Sequence, residues 1–132
     1  MTVLEVKDLQ VSLDGRKIID GLSFSVQRGE TLTVLGPNGV GKTTLVRAIT
    51  GLVPYQGTVK FFGKDLKDYT RKQLAAKVAV MNQRQEIMPG FMVKDAVALG
   101  RIPHIGRRET KRDFEAVKEA LRLTELEELQ YR

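Results

Sequence analysis

The chain has 132 residues, 22 basic against 16 acidic side chains, a formal net charge of +6 and no cysteine. That length suits one domain with a real core, and the missing thiols exclude disulfides and zinc–thiolate sites. The basic excess is spread along the chain, the pattern of a mixed solvated surface rather than of a nucleic-acid tail. The first ten residues, MTVLEVKDLQ, carry charge at Glu5, Lys7 and Asp8 and hold no signal-peptide core. No apolar run approaches the ~20 residues of a membrane span.

In chain order, VLEVKDLQVSL alternates apolar and polar residues, and Asp14-Gly15 is a hairpin turn signal. KIIDGLSFSV continues the alternation with Leu22, Phe24 and Val26 on one face, and 27–30 is a turn. TLTVLG, 31–36, is a short apolar and β-branched run expected to form a buried strand. From Lys42 to Thr50 the residues Leu45, Val46 and Ile49 recur at helical spacing, with Gly51 as C-cap and Pro54 blocking continuation. GTVKFFG reads as a strand, Thr70 as the N-cap of a short helix, and VAVM, 78–81, as a second buried strand. VKDAVALG is a short helix ended by Gly100, and RIPHIGRRE is irregular and basic. Thr110 and Asp113 form a capping-box pattern that opens a helix with Phe114, Val117, Ala120 and Leu121 on one face.

The stretch with chemistry in it is LGPNGVGKTTLVRAITG, 35–51. Gly36 to Thr43 fits G-x-x-x-x-G-K-[ST]. The glycines let the backbone curl around a phosphate with no side chain in the way, and successive N–H groups then form an anion nest. A helix beginning near Lys42 aims its unpaired N–H groups and positive dipole end at the same point. Lys42 adds a full charge for β- and γ-phosphates, and the Thr43 hydroxyl suits a Mg²⁺ ion. Gly36, Asn38, Gly39, Gly41, Lys42, Thr43 and Thr44 are therefore the expected residues of a polyphosphate cradle; the resemblance described next implies Mg-ATP as its ligand.

The hairpin, the run from GLSFSVQRGE to GKDL, and VAVMNQ together resemble the nucleotide-binding subunits of ABC transporters, from about Val3 to the last residue. The resemblance implies an α/β P-loop NTPase fold of the ABC ATPase type: an N-terminal β-hairpin region, a Walker A core and the start of a helical subdomain. It divides the chain into a β-rich part, 1–83, and a helical part, 84–132. It gives Gln83, after VAVMN, the role of the Q-loop glutamine, touching Mg²⁺ and the attacking water and sensing the membrane partner. Thr43 and Gln83 are then the metal ligands, and Gln83 and Lys42 the residues of catalysis. FMVKDAVALGRIPHIGRR is similar to the branch that imports iron–siderophore, haem and cobalamin. The implied partners are membrane permease subunits and a second copy of the ATPase, at the cytoplasmic side of the cell membrane.

Two features depart from the family pattern. Where the family stacks an aromatic ring on adenine, this chain has Leu13, which offers apolar contact only. And the 132 residues contain no LSGGQ-like signature, no apolar run ending in Asp-Glu and no later switch histidine. The expectation is thus the N-terminal portion of an ATPase, covering one nucleotide-binding face without the catalytic base. His104, the only histidine, is assigned no catalysis. Arg101, Arg107, Arg108, Lys111 and Arg112 have no interleaved stacking aromatics, so nucleic acid is not an expected partner. Two alternatives remain open at this point: a nucleotide-binding or interaction module without turnover, and a soluble P-loop protein such as an ABC-type DNA repair ATPase.

Overall fold

A computed structural model describes residues 1–37, 39–82, 90–106 and 108–132. The chain divides into two compact units, Met1–Thr70 and Arg71–Arg132.

The first unit is a four-stranded antiparallel sheet. Strands β1 (Thr2–Leu13) and β2 (Arg16–Gln27) form the hairpin expected from Asp14-Gly15, and both turn residues have positive φ, 49° and 76°, as a two-residue primed turn requires. Strands β3 (Gln56–Phe61) and β4 (Lys64–Asp65) complete the order β2-β1-β3-β4. The core lies on the β1 face, where Val6, Leu9, Val11, Ile19 and Val59 are buried. Between Val6 and Leu9 the register of β1 shifts, and Asp8 takes a φ of 49° with its N–H donating to Ser23 Oγ at 2.9 Å. Gly57 on β3 passes this bulge so closely that a Cβ there would sit 2.6 Å from the Lys7 carbonyl oxygen; only glycine fits.

Helix α1 (Lys42–Ile49) rests on β1 through Leu45 and Ala48, both buried. Val46, read from the sequence as part of the apolar stripe, is 41% exposed: residues three apart share a helix face, and position 46 points roughly 100° away from position 45. The helix ends as expected at Gly51. Its N–H donates to the Ala48 carbonyl at 3.1 Å and the Leu52 N–H to that of Arg47 at 2.8 Å, with φ 79° at Gly51, the Schellman pattern.

Two expected strands are not formed. Residues 31–36 and 78–81 have no strand pairing among the described residues, and Leu35 and Met81 are 86% and 91% exposed. The physical reason is that an extended apolar run becomes a buried strand only when hydrogen-bonded neighbours complete its ladder. Propensity cannot supply the partner.

In the second unit, α2 (Arg71–Ala75) follows Thr70, α3 (Val93–Ala98) runs into a 3₁₀ segment over Leu99–His104, and α4 (Lys111–Leu123) packs against α3. The 3₁₀ segment runs through Gly100, where the helix was expected to end, and into the stretch read as irregular. Asp113 caps α4 as expected: its carboxylate accepts the Thr110 N–H at 2.8 Å, and Arg101 Nε and Nη2 from the 3₁₀ segment, each at 3.0 Å. Of the apolar stripe on α4, Leu121 is buried while Phe114 is 60% exposed. The first N–H groups of α3 are capped by main chain from far along the sequence. Val93 N–H donates to the Arg132 carbonyl at 2.9 Å and Lys94 N–H to that of Gln130 at 3.0 Å, while the Lys94 ammonium lies 4.9 Å from the Tyr131 ring centre.

Candidate functional site

The glycine-rich loop leaves residue 36 and enters α1 at Lys42. Gly39 and Gly41 have φ of 86° and 105°, torsions that a side chain disfavours. They bend the backbone into a bowl whose exit is the start of α1. The first helical bond runs from Leu45 N–H to the Gly41 carbonyl at 2.9 Å. The N–H groups of Lys42, Thr43 and Thr44 precede it and have no partner within the helix. The first turn of α1 carries no acidic side chain and Gly41 provides no side-chain cap, so the positive end of the helix is uncompensated. The Lys42 ammonium folds back and donates to the Gly36 carbonyl, bringing its charge over the same bowl.

The residues predicted for phosphate thus meet in one loop and one helical turn: Gly36, Gly39, Gly41, Lys42, Thr43 and Thr44. Asn38 and Gln83 lie outside the described residues, as does Arg107. Leu13 ends β1 opposite Arg16, half-buried in the hairpin. A hollow of about 300 Å³ beside the loop is bounded by Ile18, Ile19, Leu22, Val34, Val40 and Leu45, and Leu13 does not line it.

Two apolar contacts around the loop were not read from the sequence. A Cβ at Gly36 would lie 2.8 Å from Val40 Cγ1, and one at Gly41 would lie 2.9 Å from Ile18 Cγ2. Ile18 looked like one residue of an alternating strand, and nothing local says that it reaches a loop more than twenty positions later. Among the described residues no group of three or more His, Cys, Asp or Glu is placed to hold a metal. The Thr43 hydroxyl, at the start of α1, is a hard oxygen donor of the kind that Mg²⁺ takes alongside phosphate oxygens and water.

Positive-φ glycines that lead into a helix N-terminus, with a lysine beside it, suit an anionic group. The family model of the ABC transporter matches residues 19–132. The chain belongs to the ABC transporter family. Curated relatives in this family include the Hemin import ATP-binding protein HmuV of Deinococcus radiodurans, 43% identical over 110 residues, which are 83% of this chain and 41% of that protein. HmuV of Streptomyces coelicolor is 38% identical over 119 residues, 89% of this chain and 42% of the relative. The ABC transporter ATP-binding protein MJ0089 of Methanocaldococcus jannaschii is 37% identical over 130 residues, 97% and 50% of the two chains. A solved metal-chelate type ABC transporter in an inward-facing conformation superposes with a TM-score of 0.79 at 25% identity, over all of this chain and 49% of that one. The ABC ATPase fold expected from the sequence is therefore the fold of this chain. The chain spans half or less of the length of these relatives. No helix among the described residues is long and apolar enough to cross a membrane.

Proposed function

We propose that this chain binds Mg-ATP and is the nucleotide-binding portion of an ABC importer's ATP-binding subunit. The observation that carries this reading is the bowl of positive-φ glycines opening onto an uncompensated helix N-terminus with Lys42 folded over it. In this reading the N–H groups of Gly39, Gly41, Lys42, Thr43 and Thr44 hold β- and γ-phosphate oxygens, together with Asn38. The Lys42 ammonium leaves the Gly36 carbonyl to meet the phosphates, a trade of one neutral acceptor for a charged one. Thr43 and Gln83 hold the magnesium, and Gln83 also orients water. Bound magnesium offsets phosphate charge. Leu13 touches the base by apolar contact only.

The cargo reading is an iron-chelate-like compound such as haem, supported by the names of the relatives and by the resemblance of 91–108. The partners are membrane permease subunits and a second ATPase copy, at the cytoplasmic face of the membrane, and nucleic acid is not among them. The subdomain reading keeps 1–83 as the β-rich cradle and 84–132 as the entry to a helical subdomain. Beyond orienting the water, transfer of phosphate to it needs a general base to take its proton, and these 132 residues hold no signature and no Asp-Glu after an apolar run. The chain by itself therefore binds nucleotide and turns it over near background.

Thermal denaturation with and without Mg-ATP tests the reading. At a hundredfold excess over Kd the ligand adds about 2.7 kcal/mol to stability, and Lys42→Ala removes most of that gain. Equal stabilisation of both proteins overturns the assignment. Steady phosphate release near about 1 s⁻¹, abolished by Lys42→Ala, would refute the expectation of background turnover.

A further inference from the structure

We infer that Ile18 is a positioning residue for phosphate binding, acting through Gly41 at the mouth of α1. The inference rests on the nucleotide reading above. Gly41 is the last loop residue, at φ 105° and ψ 13°. It lies directly against β2: a methyl on it would sit 2.9 Å from Ile18 Cγ2, 3.6 Å from the Ile18 carbonyl oxygen and 3.9 Å from Ile19 Cγ1. Gly39, also at positive φ, has nothing within 4 Å of the same construction among the described residues. The loop is therefore open at its middle and braced at its end.

The brace is rigid for two reasons. Ile19, next along β2, is buried opposite Val11 in the sheet core, which holds the strand's register there. Ile18 is β-branched, and its χ1 has few choices, so its Cγ2 cannot swing away cheaply. The torsions of Gly41 set the direction of the N–H groups that follow, because the first helical bond closes on its carbonyl. A tilt there moves several donors at once, so every phosphate contact made by that turn is weakened together. Ile18 presents only aliphatic carbon beyond its main chain, so it acts through Gly41 rather than on phosphate.

The test compares Mg-ATP with magnesium tripolyphosphate, which has the phosphates and no nucleoside. Calorimetric titrations are made on the full chain carrying Ile18→Val, Ile18→Leu, Ile18→Ala and Lys42→Ala. Valine keeps the branched methyl that faces Gly41, while leucine keeps the volume and moves the branch. Ile18→Val should bind both ligands within about threefold of wild type, and Ile18→Leu and Ile18→Ala should lose about tenfold or more for both, with folding followed by circular dichroism. If Ile18→Ala fails to fold, the valine–leucine pair decides. Wild-type affinity for tripolyphosphate in Ile18→Leu overturns the inference, whatever happens to ATP, since a loss confined to ATP would mean contact with the nucleoside. A wild-type chain that binds neither ligand overturns the nucleotide reading and this inference with it.

Discussion

Replacing Gly41 by alanine perturbs the loop at its braced end, and the cost can be worked from the geometry. A non-glycine residue at φ 105° is held in a sparsely populated conformation worth about 1–3 kcal/mol. Its Cβ would also stand 2.9 Å from Ile18 Cγ2, and relieving such overpacking costs about 1–3 kcal/mol more. The alanine chain loses less entropy on folding, an offset of about 0.4–1 kcal/mol. The sum is a destabilisation of about 1–6 kcal/mol, centred on about 3, set against a total of about 5–15 kcal/mol for a domain, and its central value lowers the melting temperature by about 10 °C. Any part that the loop relieves by turning its N–H groups aside appears instead as lost affinity. The assay is thermal unfolding by circular dichroism with and without saturating Mg-ATP. Gly41→Ala should melt earlier and should keep under half of the Mg-ATP stabilisation. Gly39→Ala has the conformational cost without the steric one and should lose roughly half as much stability. A Gly41→Ala protein melting within about 2 °C of wild type, with the full Mg-ATP gain, would refute the torsion, the contact with Ile18, or both.

Asp113 should govern part of the acid stability. The Thr110 main-chain N–H, followed by Arg101, holds its carboxyl below the ordinary aspartate value against the opposing effect of burial. A depressed folded pKa means stability that is present above the unfolded value and lost as pH falls through the folded one. Urea unfolding at stepped pH should show a stability loss on the acid side that Asp113→Asn abolishes; an unchanged acid limb in that variant contradicts the assignment. Glu125 closes α4 in a left-handed conformation, φ 58°, with Leu126 N–H donating to the Leu121 carbonyl at 2.9 Å. Glycine avoids a conformational cost of about 1–2 kcal/mol but loses more chain entropy, about 0.4–1 kcal/mol, so Glu125→Gly should raise unfolding stability by up to about 1.6 kcal/mol, centred on about 0.8, in urea titration, and a fall would show that the glutamate side chain matters more than its backbone.

Local chemistry was legible in the sequence wherever it closes within a few residues. Asp14-Gly15 turned the hairpin, Gly51 ended α1, and Asp113 capped Thr110, because each bond or torsion involved is decided by neighbours along the chain. The glycine-rich turn into α1 was legible for the same reason: its glycines, its lysine and its following helix are contiguous. The tertiary structure alone decided everything that needs a partner from elsewhere. The apolar runs at 31–36 and 78–81 had the composition of strands, yet a strand exists only with a neighbour to bond, and their exposure follows from that lack among the described residues. Gly57 read as a strand residue, while its necessity comes from the bulge at Asp8 on another strand. Ile18 read as alternation, while its role comes from standing under Gly41. The caps of α3 come from the carbonyls of Gln130 and Arg132, bonds between main-chain groups that carry no residue-specific signal at all, which is why composition, periodicity and motif are silent about them.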